Sequence, residues 1–213
     1  MKRTALLLVL CMAISSVNAQ TGKGRIIAGV SSTFHLSDFA STGSDLAGLG
    51  FLTSKATGED RYKSTFLNLL PRAGYFVIDN LAVGLDIVLS TSSEKNKETD
   101  YKYKGFMISA GPFARYYYPL EKFYPFGELN TSFGSHKDTF NYGSGDSEEK
   151  YGLFTIGGGI GAACPLGERV TFDTMLGYTS MTFKEKGLSG EPYKVTDGGI
   201  MLKMGFIVFF DTK

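Results

Sequence analysis

The sequence predicts an all-β protein, an eight-stranded antiparallel up-and-down transmembrane β-barrel. Segments of about ten residues recur with apolar side chains at every second position, and short and long connections alternate between them. The composition agrees with a β-protein, because the chain contains 27 Gly, 17 Phe and 12 Tyr. After the first twenty residues no apolar run approaches the roughly 20 residues that a membrane-spanning helix needs. We therefore expect the chain to cross a membrane with strands.

The first 19 residues have the pattern of a cleaved signal peptide. Lys2 and Arg3 form a short basic region, residues 5–14 are apolar, and residues 17–19 (Val-Asn-Ala) fit the small-x-small pattern of a signal-peptidase site. An uncleaved anchor is the alternative, although the apolar stretch is short for a membrane span. The predicted domains are therefore a signal peptide, 1–19, and an outer-membrane β-barrel domain, 20–213.

Charge and cysteine content exclude two classes of protein. Removing Lys2 and Arg3 lowers the basic count from 22 to 20 against 21 acidic residues, which does not resemble a basic nucleic-acid-binding surface. Cys11 lies in the predicted signal peptide, so Cys164 is the one cysteine of the predicted mature chain. A single thiol cannot form an internal disulfide, so a disulfide-stabilised secreted domain is excluded.

The connections between the predicted strands fall into two groups. The short ones span 77–80, 119–123 and 165–168, and the long ones span 35–64, 91–104, 135–151 and 180–197. Outer-membrane barrels have short periplasmic turns and longer extracellular loops. The predicted strands are 24–34, 65–76, 81–90, 105–118, 124–134, 152–164, 169–179 and 198–210.

Six strands each carry one charged residue near the middle, and all six charges fall on the more polar face. These residues are Arg72, Asp86, Arg115, Glu128, Asp173 and Lys203. With two faces per strand, chance would place all six together about one time in sixty. A Lys or Arg facing lipid at the bilayer midplane costs about 2–4 kcal/mol. We therefore expect these charges to face the lumen.

The six charges can form three pairs of opposite sign. Folding the hairpins about their short turns brings Arg72 close to Asp86 and Arg115 close to Glu128. Asp173 and Lys203 form the third predicted pair across a long connection. Paired charges are tolerable in a buried site and unpaired ones are costly. We therefore predict a plugged polar lumen; a gate or narrow solute path is the alternative.

Aromatic residues cluster around the short turns. Amphipathic rings gather at membrane interfaces, so these residues predict an aromatic girdle on the periplasmic side. Tyr117 is the ring that we most expect to face inward instead. The girdle residues are Tyr75, Tyr116, Tyr118, Phe123 and Tyr124.

Three stretches resemble the small outer-membrane β-barrel family, the OmpA-barrel and OmpX-like class. LLPRAGYFVIDNLAVG at 69–84 is similar to its second hairpin, and GPFARYY at 111–117 with YPFGE at 124–128 is similar to the next. The resemblance implies a monomer in a Gram-negative outer membrane, surrounded by lipid and lipopolysaccharide. It also implies periplasmic chaperones and insertion by the β-barrel assembly machinery through a C-terminal aromatic strand. GFIVFF at 205–210 fits that strand, although three further residues follow it.

The expected function is non-enzymatic, with extracellular loops that mediate surface interaction or adhesion. A small porin is the alternative, and a lipid A-modifying enzyme is a further one, because His35-Leu36-Ser37 has the His-x-Ser spacing of lipid A deacylase barrels. A His activates a Ser only where the two meet with an orienting acid, around His35 or His136. No cofactor or metal is predicted, since the glycine-rich run 157–161 lacks the Lys-Ser/Thr ending of a phosphate loop.

Overall fold

The computed structural model describes residues 21–35, 49–54, 62–96, 101–118, 120–141, 145–186 and 192–211. Over these residues the chain is built of nine antiparallel strands. They are β1 (Ile26–His35), β2 (Leu49–Ser54), β3 (Tyr62–Ile78), β4 (Leu81–Asn96), β5 (Lys102–Tyr117), β6 (Tyr124–Asn141), β7 (Asp146–Pro165), β8 (Val170–Lys186) and β9 (Pro192–Phe210). The predicted signal peptide lies outside the described residues, so that division of the chain stays a prediction.

Eight of the strands close into a barrel. From β3 to β9 each strand pairs with its neighbour in sequence, and β1 pairs with both β9 and β3. The predicted fold class, an eight-stranded antiparallel up-and-down barrel, is therefore confirmed. Closure removes the free sheet edges that would otherwise expose unpaired backbone groups.

The strand outside the eight-stranded barrel is β2. It corrects the sequence prediction, which assigned residues 35–64 to one long connection. β2 pairs with β3 over residues 62–67, whereas β1 pairs with β3 over residues 70–75. The two strands therefore lie one after the other along the same edge of β3. β2 therefore continues the backbone pairing along β3 past the segment that pairs with β1.

Several strands also run further than their apolar pattern indicates. β6 continues to Asn141 instead of ending at 134, and β7 begins at Asp146 instead of 152. Polar residues predominate on both faces of these extensions, so the alternation of apolar and polar residues that marks a half-buried strand is lost there. The backbone ladder nevertheless continues through Asn141 and Asp146. Much of what the sequence predicts as long loops is therefore strand.

The two ends of the barrel differ. The short connections from β3 to β4, from β5 to β6 and from β7 to β8 lie at one end, which we call the short-turn end. The extended strands leave the other end, which we call the projecting end. Asn80 adopts φ 67° in the two-residue turn between β3 and β4, a conformation that Asn tolerates well. The Thr21 hydroxyl donates to its side-chain oxygen at 2.6 Å, so the start of the described chain is tied to this end.

Side chains alternate between the lumen and the outer surface, as a closed barrel requires. Among the described residues, no helix is long and apolar enough to cross a membrane. Large apolar side chains lie on the outer surface, with Ile160 74%, Leu129 71% and Leu85 62% exposed. The core of the protein is the lumen, where buried side chains from all eight barrel strands meet.

Candidate functional site

The candidate site is a cluster of six charged side chains across the middle of the lumen. All six point inward, and each is 5% exposed or less: Arg72, Asp86, Arg115, Glu128, Asp173 and Lys203. They come from six different strands, β3, β4, β5, β6, β8 and β9. We call this cluster the charge network.

Glu128 lies at the centre of the charge network and contacts three cations. Arg72 donates to its two oxygens, from Nη1 to Oε2 at 2.7 Å and from Nη2 to Oε1 at 3.0 Å. Arg115 Nε donates to Oε2 at 2.6 Å, and Lys203 Nζ donates to Oε1. One carboxylate therefore joins strands β3, β5 and β9 to β6.

The two aspartates lie at the ends of the charge network. Arg72 binds Asp86 through both oxygens, from Nε at 2.9 Å and from Nη2 at 2.7 Å. Arg115 Nη1 donates to Asp173 Oδ2 and, at 3.1 Å, to the Tyr117 hydroxyl. Asp173 also accepts from the Thr171 hydroxyl at 2.6 Å. Charge-assisted and bidentate hydrogen bonds of this kind are the strong ones, so both ends are firmly held.

Two of the three predicted pairs are in direct contact, Arg72 with Asp86 and Arg115 with Glu128. The third prediction is corrected, because Asp173 contacts Arg115 and Lys203 contacts Glu128. The register explains the change: Asp173 lies opposite Gly205 on β9, and Lys203 lies opposite Met175. Both side chains reach across the lumen instead of along the sheet. Three cations and three anions balance, so the cluster is neutral when all six are ionised.

Aromatic rings lie against both guanidinium groups. The Arg115 guanidinium carbon lies 3.8 Å from the centroid of the Phe126 ring, and that of Arg72 lies 4.2 Å from the centroid of Phe113. Cation–π contact is stronger in a desolvated site, about 2 kcal/mol. These rings occupy the space that water would otherwise fill beside the cations.

The lumen between the charge network and the short-turn end is filled by a second group, the aromatic plug. It comprises the buried side chains of Ile27, Phe76, Ala82, Tyr117, Tyr124, Phe126, Ala163, Ile207 and Phe209, each 4% exposed or less. Phe76 packs against Tyr117 with ring centroids 5.8 Å apart and against Phe209 at 6.2 Å. This end of the lumen is therefore closed by well-packed rings.

Tyr124 corrects the prediction of an aromatic girdle. Tyr75, Tyr116, Tyr118 and Phe123 lie on the outer surface, 43%, 51%, 63% and 40% exposed, but Tyr124 is fully buried. The reason is parity, because positions 124, 126 and 128 share the face of β6 that Glu128 turns to the lumen. The position of Glu128 was the signal in the sequence that identifies Tyr124 as a lumen residue.

Described residues in the projecting half of the lumen line an inner and an outer cavity, which the sequence did not predict. The inner cavity, about 60 Å³, lies above the charge network and is bordered by Asp86, Lys203 and Met107. Hydroxyl groups line its wall, where Ser132 is hydrogen-bonded to Ser109 at 3.0 Å and to Thr155 at 2.6 Å. The outer cavity, about 190 Å³, lies beyond Met107. The signal for these cavities was the row of Ser and Thr at inward positions.

Within the charge network itself the remaining space is very small. A void of about 10 Å³ lies among Arg72, Arg115, Asp173 and Lys203. One water molecule needs about 10–15 Å³ by this measure. The network therefore leaves room for at most about one water, and the inner cavity ends at its surface.

His136 borders the outer cavity, and no described serine is hydrogen-bonded to its ring. Its Nε2 lies 2.9 Å from Asp138 Oδ1, and its buried Nδ1 has no partner among the described residues. The side chain of His35, together with Leu36 and Ser37, lies outside the described part of the chain. Over the ranges described, no group of three or more His, Cys, Asp or Glu side chains is arranged to hold a metal ion.

Comparisons with known proteins find similarity in fold only. No protein-family model and no curated protein matches the chain. A major outer membrane protein of Thermus thermophilus is 12% identical, with a TM-score of 0.49 over 88% of this chain and 99% of that one. The N-terminal β-barrel domain of Pseudomonas aeruginosa OprF is 11% identical, with a TM-score of 0.43 over 89% of this chain and 99% of that one. Neisserial surface protein A is 18% identical, with a TM-score of 0.40 over 87% of this chain and 96% of that one.

Proposed function

We propose that this chain is a non-enzymatic outer-membrane barrel of the small OmpA- and OmpX-like type, with a closed lumen and its interactions at the projecting end. The observation that carries this proposal is the continuous filling of the lumen by the charge network and the aromatic plug. A barrel closed in this way supplies a rigid support for surface structures and no path for solutes.

A membrane location is supported by the outer surface. Apolar side chains such as Leu85, Leu129 and Ile160 are more than 60% exposed around the barrel wall. In water they would form an apolar surface far larger than soluble monomers normally expose. In a bilayer the same rows face lipid, as in outer-membrane barrels. The short turns then lie on the periplasmic side and the projecting strands outside the cell.

The route to that membrane follows from the same proposal. A chain with a cleaved signal peptide would cross the periplasm with chaperones and be inserted by the β-barrel assembly machinery. β9 ends in Phe209 and Phe210, the aromatic pair expected of the inserting strand. A barrel of this size needs no second copy for closure, and we propose a monomer.

The closed state is supported by the number of contacts that an open path would break. Glu128 alone contacts Arg72, Arg115 and Lys203. Breaking a buried ion pair by removing one partner costs about 3–5 kcal/mol. A path through the lumen must also displace Tyr117 and Phe209 from the aromatic plug. Each of these steps disfavours a spontaneous opening.

Surface interaction is supported by the shape of the projecting end. β6 and β7 pair from Tyr124–Ala163 as far as Asn141–Asp146, well beyond the outward apolar residues Leu129 and Phe133. The extended hairpin presents charged and aromatic side chains away from the membrane. Lys137 and Glu148, for example, form an ion pair at 2.5 Å on its outer face. Extended hairpins of this kind are suited to contact another cell surface component.

The test is single-channel conductance of the refolded mature protein in planar bilayers, with Arg115→Ala beside wild type. Arg169→Ala, at a 68% exposed side chain on the short-turn end, is the matched control. We expect no steady conductance from correctly inserted wild type or from the control. Discrete wild-type openings that change with Arg115→Ala and not with Arg169→Ala would refute the closed lumen.

A small porin is the alternative that one observation favours. The inner and outer cavities already lie between the projecting end and the charge network. Only the network and the aromatic plug would have to rearrange to complete a path. Arg115→Ala removes contacts to Glu128, Asp173 and Tyr117 at once, so it is the substitution that would reveal such a path.

A further inference from the structure

Three pairs of lysines lie directly opposite each other on the outer face of the projecting end. Register places Lys95 against Lys102 on β4 and β5, Lys137 against Lys150 on β6 and β7, and Lys184 against Lys194 on β8 and β9. We call these six residues the lysine pairs. They surround the outer wall along six consecutive strands.

All six lysines face away from the lumen. Their positions share the parity of outward apolar residues on the same strands, such as Phe106 with Lys102 and Phe133 with Lys137. Five of them are exposed, and Lys137 is partly covered by its ion pair with Glu148. Within the described ranges, Lys137 is the member of the lysine pairs that has an ion pair. The other five ammonium groups are exposed on the outer surface of the barrel.

Like charges directly opposite each other across a sheet are destabilising. One such pair is ordinary on a solvated surface, but here the arrangement occurs three times on the same face of successive hairpins. Lys104 adds a further outward charge beside the first pair, opposite Ser93 and Thr139. Repeated repulsion of this kind is relieved when an anion binds between the two ammonium groups. Lysine is a common ligand for phosphate, to which it offers a point charge.

The height of the lysine pairs selects the kind of anion. Lys102 lies four residues beyond Phe106, and Lys150 lies four residues beyond Phe154. At about 3.4 Å per residue and a tilt near 45°, this is roughly 10 Å beyond the last apolar ring. A phospholipid headgroup layer is only about 5–8 Å thick. Anions at the level of the lysine pairs must therefore extend further from the acyl chains.

We propose that the lysine pairs bind the phosphate groups of phosphorylated glycolipids, the lipopolysaccharide of the surrounding outer leaflet. The inference rests on the proposed location and orientation of the barrel in the outer membrane. Each opposed pair holds one phosphate, with the outward aromatic rings packed against the acyl chains below. Three bound headgroups then surround the wall from β4 to β9. These bound lipopolysaccharide molecules then anchor the barrel in the outer leaflet.

The experiment compares lipid binding by the whole mature barrel in phosphatidylcholine nanodiscs, with phosphorylated or dephosphorylated rough lipopolysaccharide added. The variant Lys102→Gln/Lys150→Gln/Lys194→Gln removes one lysine from each pair. The control Lys23→Gln/Lys122→Gln/Arg169→Gln removes three positive charges at the short-turn end. Native mass spectrometry measures the bound lipid, and thermal unfolding measures stability in each disc. Folded electrophoretic mobility establishes that each variant retains the barrel.

We expect wild type and the control to bind phosphorylated lipopolysaccharide, and the triple variant to bind it at least about tenfold more weakly. In pure phosphatidylcholine the triple variant should be at least as stable as wild type, because repulsion is relieved. Equal binding by the triple variant, or equal binding of dephosphorylated lipid, would overturn the proposal. So would lysine-dependent binding of heparin alone, which would assign the pairs to a polysaccharide, and so would binding of inorganic phosphate as tight as that of the lipid. Conductance by a barrel that still binds the lipid would refute only the closed lumen.

Discussion

Arg72 on β3 and Glu128 on β6 are separated by two strands in the barrel wall, yet two hydrogen bonds of 2.7 and 3.0 Å join their side chains. The contact spans the lumen, which in an eight-stranded barrel is narrow enough for side chains to fill. Because Glu128 also binds Arg115 and Lys203, its carboxylate holds distant parts of the wall together. The stability of the barrel should therefore depend on the Glu128 carboxylate.

Replacing Glu128 with Gln should reduce the free energy of unfolding by about 3–5 kcal/mol, because three buried cations lose their shared carboxylate. Urea unfolding of the barrel in lipid vesicles measures the change. Glu121→Gln, at an exposed position in the turn before β6, is the control and should change stability by less than about 0.5 kcal/mol. Equal effects of the two substitutions would mean that the charge network contributes nothing to stability.

Gly84→Ala should destabilise the barrel by about 1–3 kcal/mol through overpacking. An added Cβ at Gly84 would lie 2.5 Å from the Gly74 Cα and 2.8 Å from the Phe113 ring, on which Arg72 rests. Backbone on the neighbouring strand cannot withdraw without breaking the ladder. Gly127→Ala is the matched control, since nothing lies within 4 Å of its added Cβ. Thermal unfolding that fails to separate the two variants would contradict this account of the packing.

Asp138 should make the projecting end sensitive to acid. Burial alone would raise the pKa of its carboxyl, but hydrogen bonds from His136 and Tyr103 outweigh burial and hold the pKa below its usual range. A depressed folded pKa adds stability above the unfolded pKa of about 3.9, and that stability is lost as the pH falls through the folded value.

Asp138→Asn should therefore cost about 1–2 kcal/mol at pH 7 and less at pH 3, where the carboxyl of the unfolded chain is mostly protonated. Urea unfolding at the two pH values measures the difference. Asp146→Asn, at an exposed residue near the tip of the same hairpin, serves as the control. A loss for Asp138→Asn that stays the same at both pH values would show that the carboxylate charge is not responsible.

Cys164 should report the lipid-facing surface. It is exposed on the outer face of β7, opposite Phe172 on β8, near the short-turn end. A maleimide fluorophore attached to the reconstituted barrel should be quenched by brominated acyl chains. In Cys164→Ser/Ser109→Cys the thiol lies in the lumen, where Ser109 is 3% exposed, and labelling should be slow. Two results together would contradict the assignment of faces. They are rapid labelling of the cysteine introduced at position 109, and no quenching of the label at Cys164 by brominated acyl chains.

The face of each strand could be determined from the sequence, because inward and outward positions alternate with a period of two. The outward row of β9 and the inward position of Arg115 both follow from that rule. The rule failed where polar residues predominate on both faces, as in the extensions of β6 and β7. It also missed β2, because its six residues (LGFLTS) do not alternate between apolar and polar. Tyr124 differs from these cases, because the period of two places it on the lumen row of Glu128 although it lies beside a short turn, where interfacial rings gather.

The sequence by itself determined the barrel, the lumen position of the six charges and the partners that face each other across a hairpin, Arg72 with Asp86 and Arg115 with Glu128. These features depend on local alternation and on short turns, both of which a linear pattern records. Only the tertiary structure decided that Asp173 contacts Arg115, that Lys203 contacts Glu128, and that three lysine pairs oppose each other outside. Contacts across the lumen depend on barrel curvature and strand stagger, and the opposed lysines depend on the register of extended strands. These are properties of the closed sheet and not of any one segment.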